Sequence, residues 1–231
     1  MASRLRVFAR NRITIRAVKH LLALVLFAVA ARAEVTVTVD HNRGAAATTA
    51  FNFARVASPA RDDLAASAKV EVIAGTVDRN SAPIAALTDG RLPGNEDEPE
   101  ANLFFRGDSW GGRIRFDLGG TVDIAAVNTY SWHPDTRAPQ VYRLYASDGT
   151  DPNFNPTPGV KVDLSTCGWR EIAFVDTRPK EGEGGGQYGV SIADTSGSLG
   201  RYRYLLFDVF ETESDDPWGQ TFYSEIDVVK K

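Results

Sequence analysis

From residue 34 onward, apolar and polar residues alternate one by one in short runs separated by turn formers. The run 113–118 shows it best: Ile114, Phe116 and Leu118 fall on one side, Arg113, Arg115 and Asp117 on the other. Side chains of an extended chain point to opposite faces in turn, so a period of two marks a half-buried strand. The same pattern, rich in β-branched and aromatic residues, predicts further strands at 34–39, 69–74, 124–132, 141–147, 169–175, 188–193, 202–210 and 222–229. Short strands divided by Gly, Pro, Asn and Asp clusters predict an all-β sandwich. Leu205, Leu206 and Phe207 in succession place 202–210 inside a sheet, where both faces are buried. Helix signal is confined to 58–68, with Ser58 as N-cap and Pro59 in the first turn, and to one turn at 82–87. Residues 91–101, 148–159 and 177–186 read as loops.

Residues 1–33 stand apart. Arg4, Arg6, Arg10, Arg12, Arg16 and Lys19 precede an apolar run at 21–30, and Ala31-Arg32-Ala33 follows it. This is the pattern of a secretory signal cleaved before Glu34. The apolar run is too short for a hydrocarbon core that needs ~20 residues, so no membrane insertion is expected after cleavage. The expected location is secreted, periplasmic or cell-surface. The chain holds 26 Lys and Arg against 30 Asp and Glu, and the leader takes seven of the basic residues and none of the acidic ones. The remainder is therefore acidic by eleven charges, which argues against a nucleic-acid partner. Cys167 is the single cysteine, so no internal disulfide forms, and its neighbours Gly168 and Trp169 suggest a packed, inert thiol. The expected organisation is a signal over 1–33, N-terminal strands and a short helix over 34–81 packed on the sandwich, and the sandwich itself over 82–231.

The inventory for catalysis is thin. Beyond the leader only His41 and His133 remain, too few for a three-histidine zinc site. Ser131, His133 and Asp135 sit in one short stretch, whereas a triad needs its base oriented from elsewhere in space. The carboxylates at 96–98 and 215–216 lie in loops beside proline, with no apolar flank to raise a pKa. A binding role is expected instead of an enzyme. Two loops, 132–137 and 215–220, pair a tryptophan with polar groups, as carbohydrate recognition requires. In them His133, Arg137 and Trp218 are the candidate ligand residues. Trp132 and Trp169 are assigned to packing, and Trp110 either plugs the sandwich end or joins a site. Asp89, in the turn Leu87-Thr88-Asp89-Gly90, and Glu225, out of phase with Ile226 and Val228, are candidate calcium ligands. The alternative is that Asp89 caps its own turn and Glu225 pairs with an arginine.

In order and spacing, several segments resemble the discoidin, or coagulation-factor type C, group of galactose-binding-like domains. They are Leu87-Thr88-Asp89-Gly90, the GRIRFDLG run at 112–119, Ile124 with Val127, and Arg137 before VYRLYASDG at 141–149. Gly168-Trp169, RYLLFD at 203–208 and Glu225-Ile226 complete the set. The resemblance implies a jelly-roll β-sandwich of about eight strands with a short N-terminal extension. Lack of a second cysteine places it with the bacterial, exported type. It further implies one structural Ca²⁺ held by Asp89 and Glu225, and sugar contacts from His133, Arg137 and Trp218. The expected function is an exported, non-catalytic module that binds carbohydrate or glycan through loops at one end. The alternatives are a structural or cell-surface adhesion protein that binds another protein, and a jelly-roll polysaccharide hydrolase or lyase.

Overall fold

The computed structural model describes residues 33–231 apart from 108, 183 and 214–218. Trp218, Asp215 and Asp216 lie outside the described residues, as does the expected signal but for Ala33. Eight strands form: β1 (Val35–Asn42), β2 (Lys69–Gly75), β3 (Gly111–His133), β4 (Val141–Ser147), β5 (Arg170–Asp176), β6 (Gly186–Asp194), β7 (Gly200–Phe210) and β8 (Tyr223–Lys230). Every pairing is antiparallel. The organising element is β3, 23 residues long. Its first part pairs with β2 and β7, and its second with β6 and β8. One layer is therefore β2-β3-β7-β4-β5 and the other β1-β6-β3-β8. Ile114, Phe116, Leu144 and Phe207 from the first share one core cluster with Val127, Val190, Ile192 and Ile226 from the second. The all-β sandwich expected from the alternation is what forms, and β7 lies between β3 and β4 as its doubly apolar centre requires.

Two expectations need correction. The strands expected at 113–118 and 124–132 are one continuous strand, which passes from the first layer into the second beyond Gly119-Gly120, where the register against β7 slips between Asp117 and Val122; both its ends reach the same rim, where Thr212 Oγ1 donates to Thr136 O. The helix expected over 58–68 is absent apart from a single 3-10 turn, Ala65–Ser67. Its backbone donors are taken by tertiary partners: Ala60 N donates to Asp227 Oδ2 (3.0 Å) and Leu64 N to Val228 O (3.0 Å). Asp63 Oδ1 accepts from Ala65 N (2.7 Å) and from Val228 N (2.8 Å). The segment is thus laced along β8, and tertiary pairing overrides local propensity.

At the start of β3 the polar face does not meet water. Arg113 and Arg115 are buried beneath the 148–169 loop, which arches over the outer face of the first layer. Arg113 donates through Nε to Asp208 Oδ1 (2.9 Å) and through Nη1 to Gly159 O (2.8 Å). Arg115 donates to Pro156 O (2.9 Å) and pairs with Glu71. Alongside, Leu164, Cys167, Trp169 and Leu206 form a small apolar cluster, and burial pushes the Cys167 thiol pKa up. On the outer face of the second layer, Phe51 and Val56 cover Tyr130 and Trp132.

Removing Arg113 strands Asp208 as a buried carboxylate and unties the covering loop. We expect Arg113→Ala to cost about 3–5 kcal/mol of stability in denaturant titration. Amide exchange should rise first within 156–163. An unchanged midpoint would mean that the arch is held by its apolar contacts alone.

Candidate functional site

At the end of the sandwich where β3 finishes and β4 and β8 begin, three segments meet: the 87–90 turn, the 91–101 loop and the 134–140 loop. The turn docks on the last strand. Gly90 N donates to Glu225 Oε2 at 3.1 Å. Gly90 has φ +66°, and a Cβ there would sit 2.5 Å from the Arg61 side chain, so only glycine makes this approach. Asp89 Oδ1 accepts from Arg91 N (2.8 Å), so Asp89 does cap its own turn. Glu225, in contrast, meets a backbone N–H where an arginine was the alternative.

Glu225 is 0 % exposed, and its Oε1 has no hydrogen-bond partner. Asp227, two residues on along the same outer face of β8, is also buried, and its Oδ1 is unpartnered. Asp63 Oδ2 is in the same condition. Burial first, then the charges of Asp227, Asp89 and Asp63, push the Glu225 pKa up to about 9. Burial, with Asp63, raises Asp227 to about 7. Here carboxyl groups with orphaned oxygens are gathered in a dry place, and the donor set is entirely hard oxygen. That fits a calcium ion. Among the described residues no three His, Cys, Asp or Glu side chains close on one metal position, so backbone carbonyls and water would have to complete the shell.

The 91–101 loop runs from this turn to the rim. Glu98 ties it down, accepting from Arg91 Nη2 (3.2 Å) and Gly94 N (2.6 Å). Asp97 is thereby held with Oδ1 3.9 Å from His133 Nε2. Asp135 N donates to His133 Nδ1 (3.0 Å). Burial lowers the His133 pKa, so the ring is neutral at pH 7 with its proton on Nε2, facing Asp97. Arg137 lies over two stacked rings, 4.8 Å from the Phe222 centroid and 5.3 Å from that of Phe104. His133 packs edge-on against the same Phe222 at 4.8 Å. The loop that carries Arg137 is fixed at four points: Phe222 N donates to Arg137 O, Thr221 Oγ1 to Pro139 O, Thr212 Oγ1 to Thr136 O and Ser131 Oγ to Ala138 O. His133, Arg137 and Asp97 are therefore a donor, a charged donor and an acceptor, held together on a rigid aromatic base.

The structure thus brings His133 and Arg137 together, and Asp89 and Glu225 together. Ser131 gives its proton to Ala138 O, so no serine triad forms. His41 stacks on Tyr188 at 4.0 Å and contacts Gly185 O, a packing role. Trp132 and Trp169 are buried, as assigned. Sequence reasoning missed Phe104, Phe222, Asp63 and Asp227. For Asp227 a signal existed, since it shares the phase of Glu225 on β8; for the two phenylalanines none did, because they look like core.

No protein-family model matches the chain, and no relative is found among curated proteins. Solved structures do resemble it. A Streptococcus pneumoniae fucose binding module is 18% identical with a TM-score of 0.45, covering 73% of this chain and 95% of its own. The Clostridium perfringens module CpGH89CBM32-6 is 18% identical with a TM-score of 0.42, covering 74% and 100%. The lectin domain of lectinolysin, complexed with Lewis B antigen, is 11% identical with a TM-score of 0.46, covering 74% and 97%. At these identities and scores the ligand of this chain is read from its own residues.

A carboxyl whose pKa is raised by folding favours the folded state while protonated. Its contribution is complete below about pH 4.5 and is lost as pH climbs through about 9 for Glu225, and through about 7 for Asp227. The chelator-treated protein should therefore melt at least roughly 5 °C lower at pH 8.5 than at pH 5, a difference that Glu225→Gln should shrink. A melting profile flat in pH would show that the carboxyls are already neutralised.

Proposed function

We propose that this chain is an exported, non-catalytic module that binds carbohydrate through the loop end of its sandwich. The observation that carries this reading is the grouping of His133 Nε2–H, the Arg137 guanidinium and the Asp97 carboxylate on one fixed base. Adjacent hydroxyls on a sugar ring both donate and accept, so a paired set of donors and an acceptor at one rim matches them. The loop ties leave little motion to be lost on binding. Trp218, in the 215–220 run of the sequence, is proposed as the stacking ring. Export rests on the leader pattern at 1–33.

Calcium belongs to the same proposal. Glu225, with Asp89 and the carbonyls of its turn, would hold the ion. The ion would supply the positive charge that the buried carboxyls lack, and so pin the 91–101 loop against β8 from beneath. It takes no part in ligand chemistry. Against a hydrolase stands the use of Glu98 in loop ties and of Asp97 against His133, which leaves neither of these two carboxyls placed as a proton donor in an apolar pocket.

The test is a broad glycan array probed with wild type, His133→Ala and Arg137→Gln, with and without chelator. We expect a restricted set of retained glycans, a loss of at least about tenfold in each variant (1.4 kcal/mol or more), and weakening by chelator. Melting of Arg137→Gln should fall by no more than a few degrees, since the backbone ties of its loop stay in place and only its side-chain contacts are altered. Equal retention of wild type and both variants would remove the loop end from the site.

A further inference from the structure

The outer face of the β2-β3-β7-β4-β5 layer is covered by the 148–169 loop over Arg113, Arg115 and Leu206. Towards the β4 and β7 ends at the rim the cover stops and leaves an open groove of about 490 Å³. Trp110, Phe174 and Phe210 supply its flat walls, and Arg143, Arg178 and Glu211 its polar edge. We propose that this groove is a second saccharide site, which takes a neutral oligosaccharide independently of the loop end.

Phe174 is 46 % exposed; the other large apolar residues of comparable exposure among those described are valines. An aromatic ring left open on a strand face, inside a groove of ligand-binding volume, presents the surface that the C–H face of a sugar stacks on. Its position is fixed. The Arg143 guanidinium lies 4.7 Å from the ring centroid and is itself held by Glu171 at 2.7 Å. Across the groove, Trp110 and Phe210 meet at 6.2 Å, and Glu211 N donates to Trp110 O at 3.1 Å. Gly111 makes this possible: a Cβ there would lie 2.1 Å from Val209 O, so any other residue would push Trp110 off β7.

Charge selects the ligand class. Arg143 is matched by Glu171, and Arg178 by Asp176, with Nε 2.9 Å from Oδ1. Glu211 adds negative charge, so an anionic glycan or a phosphate is disfavoured. What remains is a surface with no unmatched arginine, of donors and acceptors beside aromatic rings, the chemistry of hydroxyls on a pyranose ring. Arg178 and Glu213 also border a smaller depression that reaches Thr136 and Pro139, so the surface continues beyond one ring and suits a chain of several units.

The test is a titration of ¹⁵N-labelled protein with gluco-, manno- and galacto-hexasaccharides, following the Trp110 indole and the backbone amides of 172–176 and 209–213. We expect saturable shifts at these positions with at least one series. Phe174→Ala and Trp110→Ala should each weaken them at least tenfold, and His133→Ala should leave their midpoint unchanged. Phe174 is half exposed, so its replacement should not alter melting and keeps the test open if Trp110→Ala fails to fold. No shifts with any series, shifts confined to 132–137, or shifts driven by protein concentration alone, which would mark a second copy in the groove, would each overturn the proposal. Failure of the loop-end reading alone leaves the groove shifts in place.

Discussion

A single hydrogen bond joins two parts of the chain more than a hundred residues apart: Gly90 N to Glu225 Oε2. It sets the 87–90 turn against the last strand, and from that turn the 91–101 loop starts towards the rim. The bond is unusual in its setting. The acceptor is a fully buried carboxyl whose second oxygen has no partner, beside two more acidic groups with orphaned oxygens. Such a group is costly as an anion and cheap as a neutral acid or when paired with a cation. Geometry at the rim, where Asp97 faces His133, is therefore tied to how that buried charge is settled.

Much of the architecture was legible because a strand states its two faces residue by residue. Ile114, Phe116 and Leu118 had to be core, and Leu205–Phe207 had to lie in mid-sheet. What escaped was everything decided by remote partners. The polar side of β3 read as solvated, yet Arg113 and Arg115 are buried by a loop some forty residues further on. Residues 58–68 carry proper helix-start signals, but Asp63, Asp227 and the β8 backbone offer their N–H groups better acceptors. At the site, His133 and Arg137 were visible because polar residues in a loop are conspicuous. Phe104 and Phe222, which aim both, were not, since nothing local separates a platform ring from a core ring.

The two outer faces are used differently. Over the second layer, residues 43–68 cover Tyr130 and Trp132 and bring Asp63 to the acidic junction. Over the first, the 148–169 arch is anchored by arginines and stops short of the rim, and aromatic surface is left open there. The polar end and the open groove thus share one edge of the sandwich, the edge at which the strand-connecting loops collect.

The most direct test of the buried-carboxyl junction is calorimetric titration of the chelator-stripped protein with Ca²⁺ at pH 7, repeated in buffers of different ionisation heat. The proposed calcium site predicts one ion bound per chain with release of at least about one proton, because Glu225, with its pKa pushed up to about 9, is a neutral acid at that pH. Glu225→Gln should cut the proton release to the fraction that Asp227 holds at pH 7 and remove most of the affinity. Absence of heat and of any melting shift at millimolar Ca²⁺, or tight binding with no proton released, would contradict it.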